Sequence, residues 1–468
     1  MNSKISLTLT AEQHTQFQTH LFPGDGKEAV AIALCGRCMG SEEHRVIVHK
    51  IYPIPYQQCS VRSCERITWS TESLAPLLDQ AAQRNLTVLK IHSHPSGFPE
   101  FSLVDDECDR ELFATIHTWV GGDLPHVSAV MLPDGKIFGR AIDAKINFTS
   151  LSVVKVVGDN LHFWYGEEIS FQTLDHSQRT TQFLGPATFE MFQKLKVGVV
   201  GYSGTGSPLV EGLTRNCVGS LVIVEPDIVE HKNRNRILHT TAKDADEQIA
   251  KIDIARRSVE AAGFGTQLIT LRCNLFDSIE AIQALAECDI VFGCMDSIDG
   301  RYLLNRLATF YSIPYFDIGV KLEADGQGGI DQICGTIHYL QPGKSSLLSR
   351  GVFSLEQVRA ASLKRTDPAY YEEQVRSKYI IGVQEERPAV IHVNMIAAGL
   401  AIDALLSRLN PYKCDDNSEF ASLTFSLVHG EMFRNSEGSV CEVFSRHVGR
   451  GDLNPLLDMP EFTLNEDN

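Results

Sequence analysis

Lys196–Ser207 reads KVGVVGYSGTGS. A short apolar run breaks into a turn with glycines at 201, 204 and 206, and PLVEGLTRNCVG continues with helical spacing. Such a turn lets backbone approach a phosphate closely and aims helix N-terminal amides at it. Taken alone it is equally a tight strand–helix corner with no ligand. The sequence beyond it decides the matter. SLVIVEPD is a second buried strand, NRILHT to RRSVEAAGFG is largely helical, and TQLITLRCN, SIEAIQALAE and CDIVFGCMD continue the alternation. Strand and helix in strict turn predict a parallel, doubly wound α/β sheet.

Polar residues follow the strands in a meaningful order. Glu225 ends the second strand, at the distance where a carboxylate accepts from ribose hydroxyls. Asn233 and Arg236, in EHKNRNR, and Lys251, on the following helix, can stand near phosphates. Asp296, in FGCMDSIDGR, sits at another strand end and suits magnesium, a hard ion that takes oxygen ligands.

The first half has a different texture. Residues 1 to about 150 mix short apolar runs (AVAIALCG, RVIVHKIYPI, LTVLKIHSHP) with helical stretches, the pattern of a mixed α/β domain. Within it, IHSHPSGFPEFSLVDD sets His92 and His94 two apart, so both face the same side of a strand. Two imidazoles with Asp105 as a third ligand leave a fourth position for water in a tetrahedral zinc site, where that water's pKa falls to roughly 7. Such chemistry also asks for a carboxylate base and for an oxyanion donor, a role open to the Ser102 hydroxyl.

Composition bounds the rest. At 468 residues, about three domains are expected. A net charge of −17, from 59 acids and 42 bases, disfavours general nucleic-acid binding while permitting a local nucleotide site. The N-terminus has no signal-peptide pattern, no run of 18 uncharged apolar residues occurs, and the twelve cysteines are scattered. A cytoplasmic protein with reduced thiols and no membrane span is expected. Cys35 and Cys38, with Cys59 and Cys64, read as thiols rather than a second zinc site.

The H-S-H-P-x6-S-x-x-D spacing resembles the JAB/JAMM metallopeptidase motif in every position, over roughly residues 10–145. That resemblance implies a zinc enzyme cleaving after the C-terminal glycines of ubiquitin-like proteins. Its general base is a glutamate on an early strand, here Glu28 in KEAVAIALCG. GYSGTGS, EPDIVEHKNRNR, Lys251 and MDSIDGR together resemble the adenylating domain of ubiquitin-activating enzymes and their ThiF/MoeB relatives, over about residues 179–410. Ser203 and Glu225 depart mildly from that pattern, standing for glycine and aspartate. This second resemblance implies Mg·ATP, adenylation of a ubiquitin-like C-terminal glycine, a homodimer, and an arginine (here Arg179) reaching the partner subunit's ATP. A conjugating-enzyme-like partner is also implied.

Relatives often carry a crossover cysteine for a thioester, or C-x-x-C zinc pairs. Between Cys334 and Cys414 this chain has none, and PGKSSLLSRG offers Ser346 and Ser349 instead. Either the reaction stops at the adenylate or one of these serines accepts the tail as an oxyester. The expected layout is a JAB/JAMM domain at 1–150, a joining segment at 151–186, an adenylation domain at 187–411 with a crossover insert at 344–386, and a C-terminal extension at 412–468. The function implied is trimming and activation of one ubiquitin-like tail, as in bacterial conjugation systems, with antiviral defence among their roles. The alternatives are sulfur-carrier processing and activation, or a scaffold with decayed sites.

Overall fold

The computed structural model describes residues 4–166, 177–325, 327–377 and 389–464. The chain forms two units, one of Met1–Ser170 with Phe310–Ser312 and His447–Asn468, the other of Phe171–Thr309 with Ile313–Arg446.

The first unit is built on a sheet of nine strands. In chain order these are β1 (Lys4–Thr10), β2 (Val30–Met39), β3 (Glu43–Pro53), β6 (Thr87–Ser93), β7 (His126–Met131), β8 (Ile137–Ile142), β9 (Phe148–Ser150), β10 (Val153–Val157) and β11 (Leu161–Tyr165); β4 (Cys59–Arg62) and β5 (Ile67–Trp69) form a separate hairpin. The spatial order is β11-β10-β1-β3-β2-β6-β7-β8-β9. Strand periodicity sorts β2 cleanly between two cores. Ala31, Ala33 and Cys35 face a cluster holding Phe17 and Leu21 of the helix Ala11–Leu21. Val30, Ile32 and Leu34 face the opposite cluster with Leu77, Leu78, Phe113 and Ile116.

Two strands, β10 and β11, occupy ground that the sequence reading gave to a joining segment at 151–186, because β10 completes the sheet beside β1. Part of that segment, 167–176, lies outside the described residues. The expected C-terminal extension is likewise divided. Its first part supplies strands to the second sheet, while His447–Asn468 joins the first unit. There Val448 O accepts from His49 Nδ1 at 2.6 Å and Gly449 O accepts from the Gly36 amide at 3.1 Å.

The second unit is the expected doubly wound sheet. Its strands are β12 (Lys196–Val200), β13 (Ser220–Val224), β14 (Gln267–Leu271), β15 (Ile290–Gly293), β16 (Tyr315–Ala324), β17 (Ile330–Leu340), β18 (Ser422–Ser426) and β19 (Glu431–Asn435), in spatial order β14-β13-β12-β15-β16-β17-β18-β19. The first five are parallel and the last three antiparallel. Strand order reverses between β12 and β15, the point outside whose carboxyl ends such sheets bind ligands. Of the insert expected at 344–386, residues 378–386 lie outside the described residues; helices Leu355–Thr366 and Pro368–Arg376 precede them. Helix Ile391–Leu409 is long and apolar enough to cross a membrane by length and composition, yet it carries Asp403 and Arg408 and is largely buried. It packs so tightly on helix Gly206–Arg215 that a Cβ on Gly212 would lie 2.4 Å from Ile402 Cδ1.

Helix Leu103–Val120 of the first unit is fixed to the sheet by a buried ion cluster. Asp109 Oδ1 receives Lys90 Nζ at 2.7 Å and Oδ2 receives Arg140 Nη2 at 2.7 Å. Arg140 also pairs with Asp106, and its guanidinium stacks on Phe101 and Phe148 at 3.9 Å. Removing one partner of such a cluster strands buried charge, which costs about 3–5 kcal/mol. Asp109→Ala is therefore expected to lower the stability of the first unit by about that amount, measured by hydrogen exchange at the β6 amides. A loss under about 1 kcal/mol would show that the cluster contributes no more than a surface pair.

Candidate functional site

The first site is assembled where β6 passes its chain to helix Leu103–Val120. His92 lies in β6 and is paired with Val30, while His94 follows the strand end. Ser102 caps the helix and Asp105 occupies its first turn. They form a reciprocal capping box: the Asp105 amide donates to Ser102 Oγ at 3.2 Å, and the Ser102 amide and hydroxyl donate to Asp105 Oδ2 at 2.8 and 2.7 Å. The Ser102 hydroxyl proton is thus committed to Asp105. In this arrangement the hydroxyl expected to serve as an oxyanion donor is hydrogen-bonded to Asp105.

Three acceptors converge here. His92 Nε2 lies 3.1 Å from His94 Nε2 and 2.9 Å from Asp105 Oδ1, and His94 Nε2 lies 3.5 Å from Asp105 Oδ2. His94 Nδ1 is 2.8 Å from Phe98 O. A carbonyl only accepts, so Nδ1 carries a proton and Nε2 is the nitrogen turned toward the cluster. Tetrahedral ligands about 2.0–2.1 Å from zinc are spaced about 3.3 Å apart. The separations of 2.9–3.5 Å lie around that spacing, with the two Asp105 contacts made by different carboxylate oxygens, and among the described residues this is the His/Cys/Asp/Glu cluster suited to a metal.

The electrostatics suit a cation as well. Burial, helped by Lys90, pushes His92 down to about 4, so its imidazole is neutral and able to ligate. Burial opposes ionisation of Asp105, but hydrogen bonds from His92, His94 and Ser102 outweigh it and hold the carboxyl far below its usual range. For His94 burial is again the largest influence and lowers the pKa, yet Asp105 and the Phe98 carbonyl raise it overall. Glu28 stands two residues before Val30, the β2 partner of His92, and Ala29 O accepts the Ser93 amide at 3.0 Å. The residue is 7% exposed. Burial first, and the Asp105 charge next among the raising influences, bring it to about 7. A carboxylate poised there can both take and return a proton near neutrality.

The second site lies at the carboxyl ends of β12, β13 and β15. Gly201 has φ +97°, and a Cβ there would meet Cys294 O at 2.8 Å. A Cβ on Gly206 would lie 1.9 Å from Gly201 O. Glu225 accepts the Tyr202 amide at 2.6 Å and the Asp227 amide at 3.0 Å, tying the glycine turn to the next strand. Lys251 is buried at its helix start, with Nζ 2.8 Å from Asp227 Oδ2 and 3.6 Å from Glu225 Oε1. Asn233 Oδ1 accepts the Glu230 amide, and half-buried Arg236 donates to Lys232 O and Asn235 Oδ1 while its Cδ borders Gly204. Asp296 is exposed just beyond β15. Arg179 is exposed on helix Gln178–Leu184, away from any hydrogen-bonded cluster among the described residues.

The crossover serines are placed differently from the rest. Ser346 is 1% exposed, and its Oγ accepts the Ser349 amide at 3.1 Å. Ser349 Oγ accepts the Ser346 amide at 2.9 Å. They close a turn on each other, and no basic side chain bonds either hydroxyl among the described residues. Sequence reading missed the Phe98 carbonyl, which carries no side-chain signal. It also missed the Ser102–Asp105 capping box, which S-x-x-D spacing before a helix does announce.

Comparison with known proteins agrees with this division. Residues 176–437 match the model of the ThiF family, and residues 10–133 match the model of prokaryotic homologs of the JAB domain. The ubiquitin-like modifier-activating enzyme 5 of Culex quinquefasciatus is 26% identical over 169 residues, 34% of this chain and 40% of that protein. The adenylyltransferase and sulfurtransferase UBA4 of Meyerozyma guilliermondii is 31% identical over 136 residues, 29% of this chain and 31% of that protein. The chain thus spans less than half the length of these curated relatives. Crystal structures of E. coli MccB are also similar; the one with MccA-N7isoASN has a TM-score of 0.46 at 14% identity, over 59% of this chain and 75% of that one. The nucleotide-type turn, the strand order and the match over more than half its length agree: this chain belongs to the ThiF family, with a JAB-like domain fused ahead of it.

Proposed function

We propose that the chain is a two-activity enzyme acting on the C-terminal tail of a ubiquitin-like protein. The first unit hydrolyses the bond after the terminal glycine, and the second adenylates that glycine with Mg·ATP. The convergence of His92, His94 and Asp105 beside Glu28 is the observation that carries the hydrolytic half. The adenylating half follows from the family and from the grouping of Lys251, Arg236 and Asp296 around the glycine turn.

In the first unit the two imidazoles and Asp105 would hold zinc, and Ser102 and Phe98 O orient Asp105 and His94 respectively. Zinc bound there would supply Lewis acidity toward a scissile carbonyl and an acidified water. Glu28 takes the proton of the attacking water and returns it to the leaving amine, a transfer suited to its position near neutrality.

In the second unit the tail carboxylate attacks the α-phosphorus of ATP; the bond to the bridging oxygen of the β-phosphate breaks, and pyrophosphate leaves. Lys251 and Arg236 offset phosphate charge, Glu225 accepts from ribose, Asn233 supports the phosphate loop, and Asp296 would hold magnesium, which would supply further charge neutralisation. Arg179 reaches the nucleotide of a second copy in a homodimer. The mutual closure of Ser346 and Ser349 favours release of the adenylate to an acceptor outside these serines.

The two halves separate by mutation. Glu28→Gln is expected to slow tail cleavage by about 10²–10⁴-fold and leave ATP–pyrophosphate exchange intact; undiminished cleavage removes Glu28 from the chemistry. Asp296→Ala is expected to do the reverse, and normal exchange in that variant would sink the magnesium assignment. Metal analysis is expected to find about one zinc per chain in the first unit. Ser102→Ala should weaken that zinc by about 10–100-fold, because Asp105 loses its orienting partner. Unchanged zinc affinity would mean the capping box serves the helix alone.

A further inference from the structure

Gly204 raises a question that its backbone does not answer. Its φ lies outside the left-handed region, so any residue could adopt that conformation. The obstacle to a side chain is space. An ideal Cβ on Gly204 would lie 2.5 Å from Asn394 Nδ2 and 3.2 Å from Arg236 Cδ. Asn394 comes from helix Ile391–Leu409, about 190 positions later in the chain. It is 3% exposed, and its Oδ1 accepts from Thr205 Oγ1 at 3.3 Å. Its Nδ2 is buried with no hydrogen-bond partner among the described residues. A buried side-chain amide with an unsatisfied donor is destabilising, so apolar packing alone is a poor reason for an asparagine here.

We infer that Asn394 is a nucleotide-positioning residue. Its carboxamide fills the space over Gly204 and holds Thr205, fixing the turn in the shape that presents backbone amides to phosphate. Glycine at 204 is then required by Asn394 rather than by backbone conformation. The two positions form one device, split between the glycine turn and the helix that follows the insert. This rests on the ATP-binding reading of the second unit.

The test is a double-mutant cycle in the full chain with Gly204→Ala, Asn394→Ala and the pair, titrating Mg·ATP calorimetrically and recording the nucleotide-free melting temperature of each. Each single variant should weaken Mg·ATP binding by about tenfold or more. The double should be no weaker than about the worse single, because Asn394→Ala vacates the space that a residue 204 side chain needs. Independent effects, multiplying to about a hundredfold, would overturn the inference. Wild-type affinity in Asn394→Ala would overturn it too. So would melting temperatures that fall while Mg·ATP affinity stays at the wild-type value, the mark of a purely structural residue. If the wild-type chain itself fails to bind Mg·ATP, the ATP reading falls and takes this inference with it. Binding by the wild type with no coupling removes Asn394 alone.

Discussion

A strand that passes its chain to a helix leaves polar groups unpaired at one end of the sheet, and both sites are built on that constraint. The helix offers amides without partners in its first turn, and the strand ends its ladder in the same place. In the first unit His92 and His94 come from the strand end and Asp105 from the helix start. In the second, Gly201 and Gly206 make the corner itself, while Glu225 and Asp296 stand beyond neighbouring strands. Each unit thus places its chemistry where backbone hydrogen bonding is incomplete.

What distinguishes the units is the charge gathered there. The first collects lone pairs around one point, and the surrounding structure holds them still. Asp105 is fixed by Ser102, His94 by Phe98 O, and the helix carrying Asp105 by Asp109 between Lys90 and Arg140. Two imidazoles and a carboxylate held fixed around one point suit a metal ion. The second unit gathers backbone donors and cations around a turn stripped of side chains, the environment a triphosphate needs. One terminal carboxylate fits both chemistries: hydrolysis exposes it and adenylation activates it.

Much of this was legible in the sequence, for physical reasons. Short apolar runs in the first half and the strict strand–helix alternation after Lys196 announce the two sheets, and His-x-His on a strand must face one side. The zinc-type cluster follows, since its residues are local. Other features were not legible because they depend on distant backbone. Strand β10 is set by pairing with β1, some 150 positions earlier, and carries the edge strand β11 on its other side, while Asn394 meets Gly204 only in the folded chain. For Ser346 and Ser349 the sequence left two readings open, an oxyester acceptor or none, and the fold adds that each hydroxyl accepts the other's backbone amide.

The central claim is that both units act on one tail. It is tested most directly by intact-mass analysis of a ubiquitin-like partner bearing a C-terminal extension, incubated with zinc-loaded enzyme with and without Mg·ATP. The account predicts a partner shortened to its terminal glycine in both tubes, and an AMP adduct of that shortened form only with Mg·ATP. An unchanged mass in both tubes, for a partner shown to bind, would contradict it and leave a scaffold that holds the tail without chemistry.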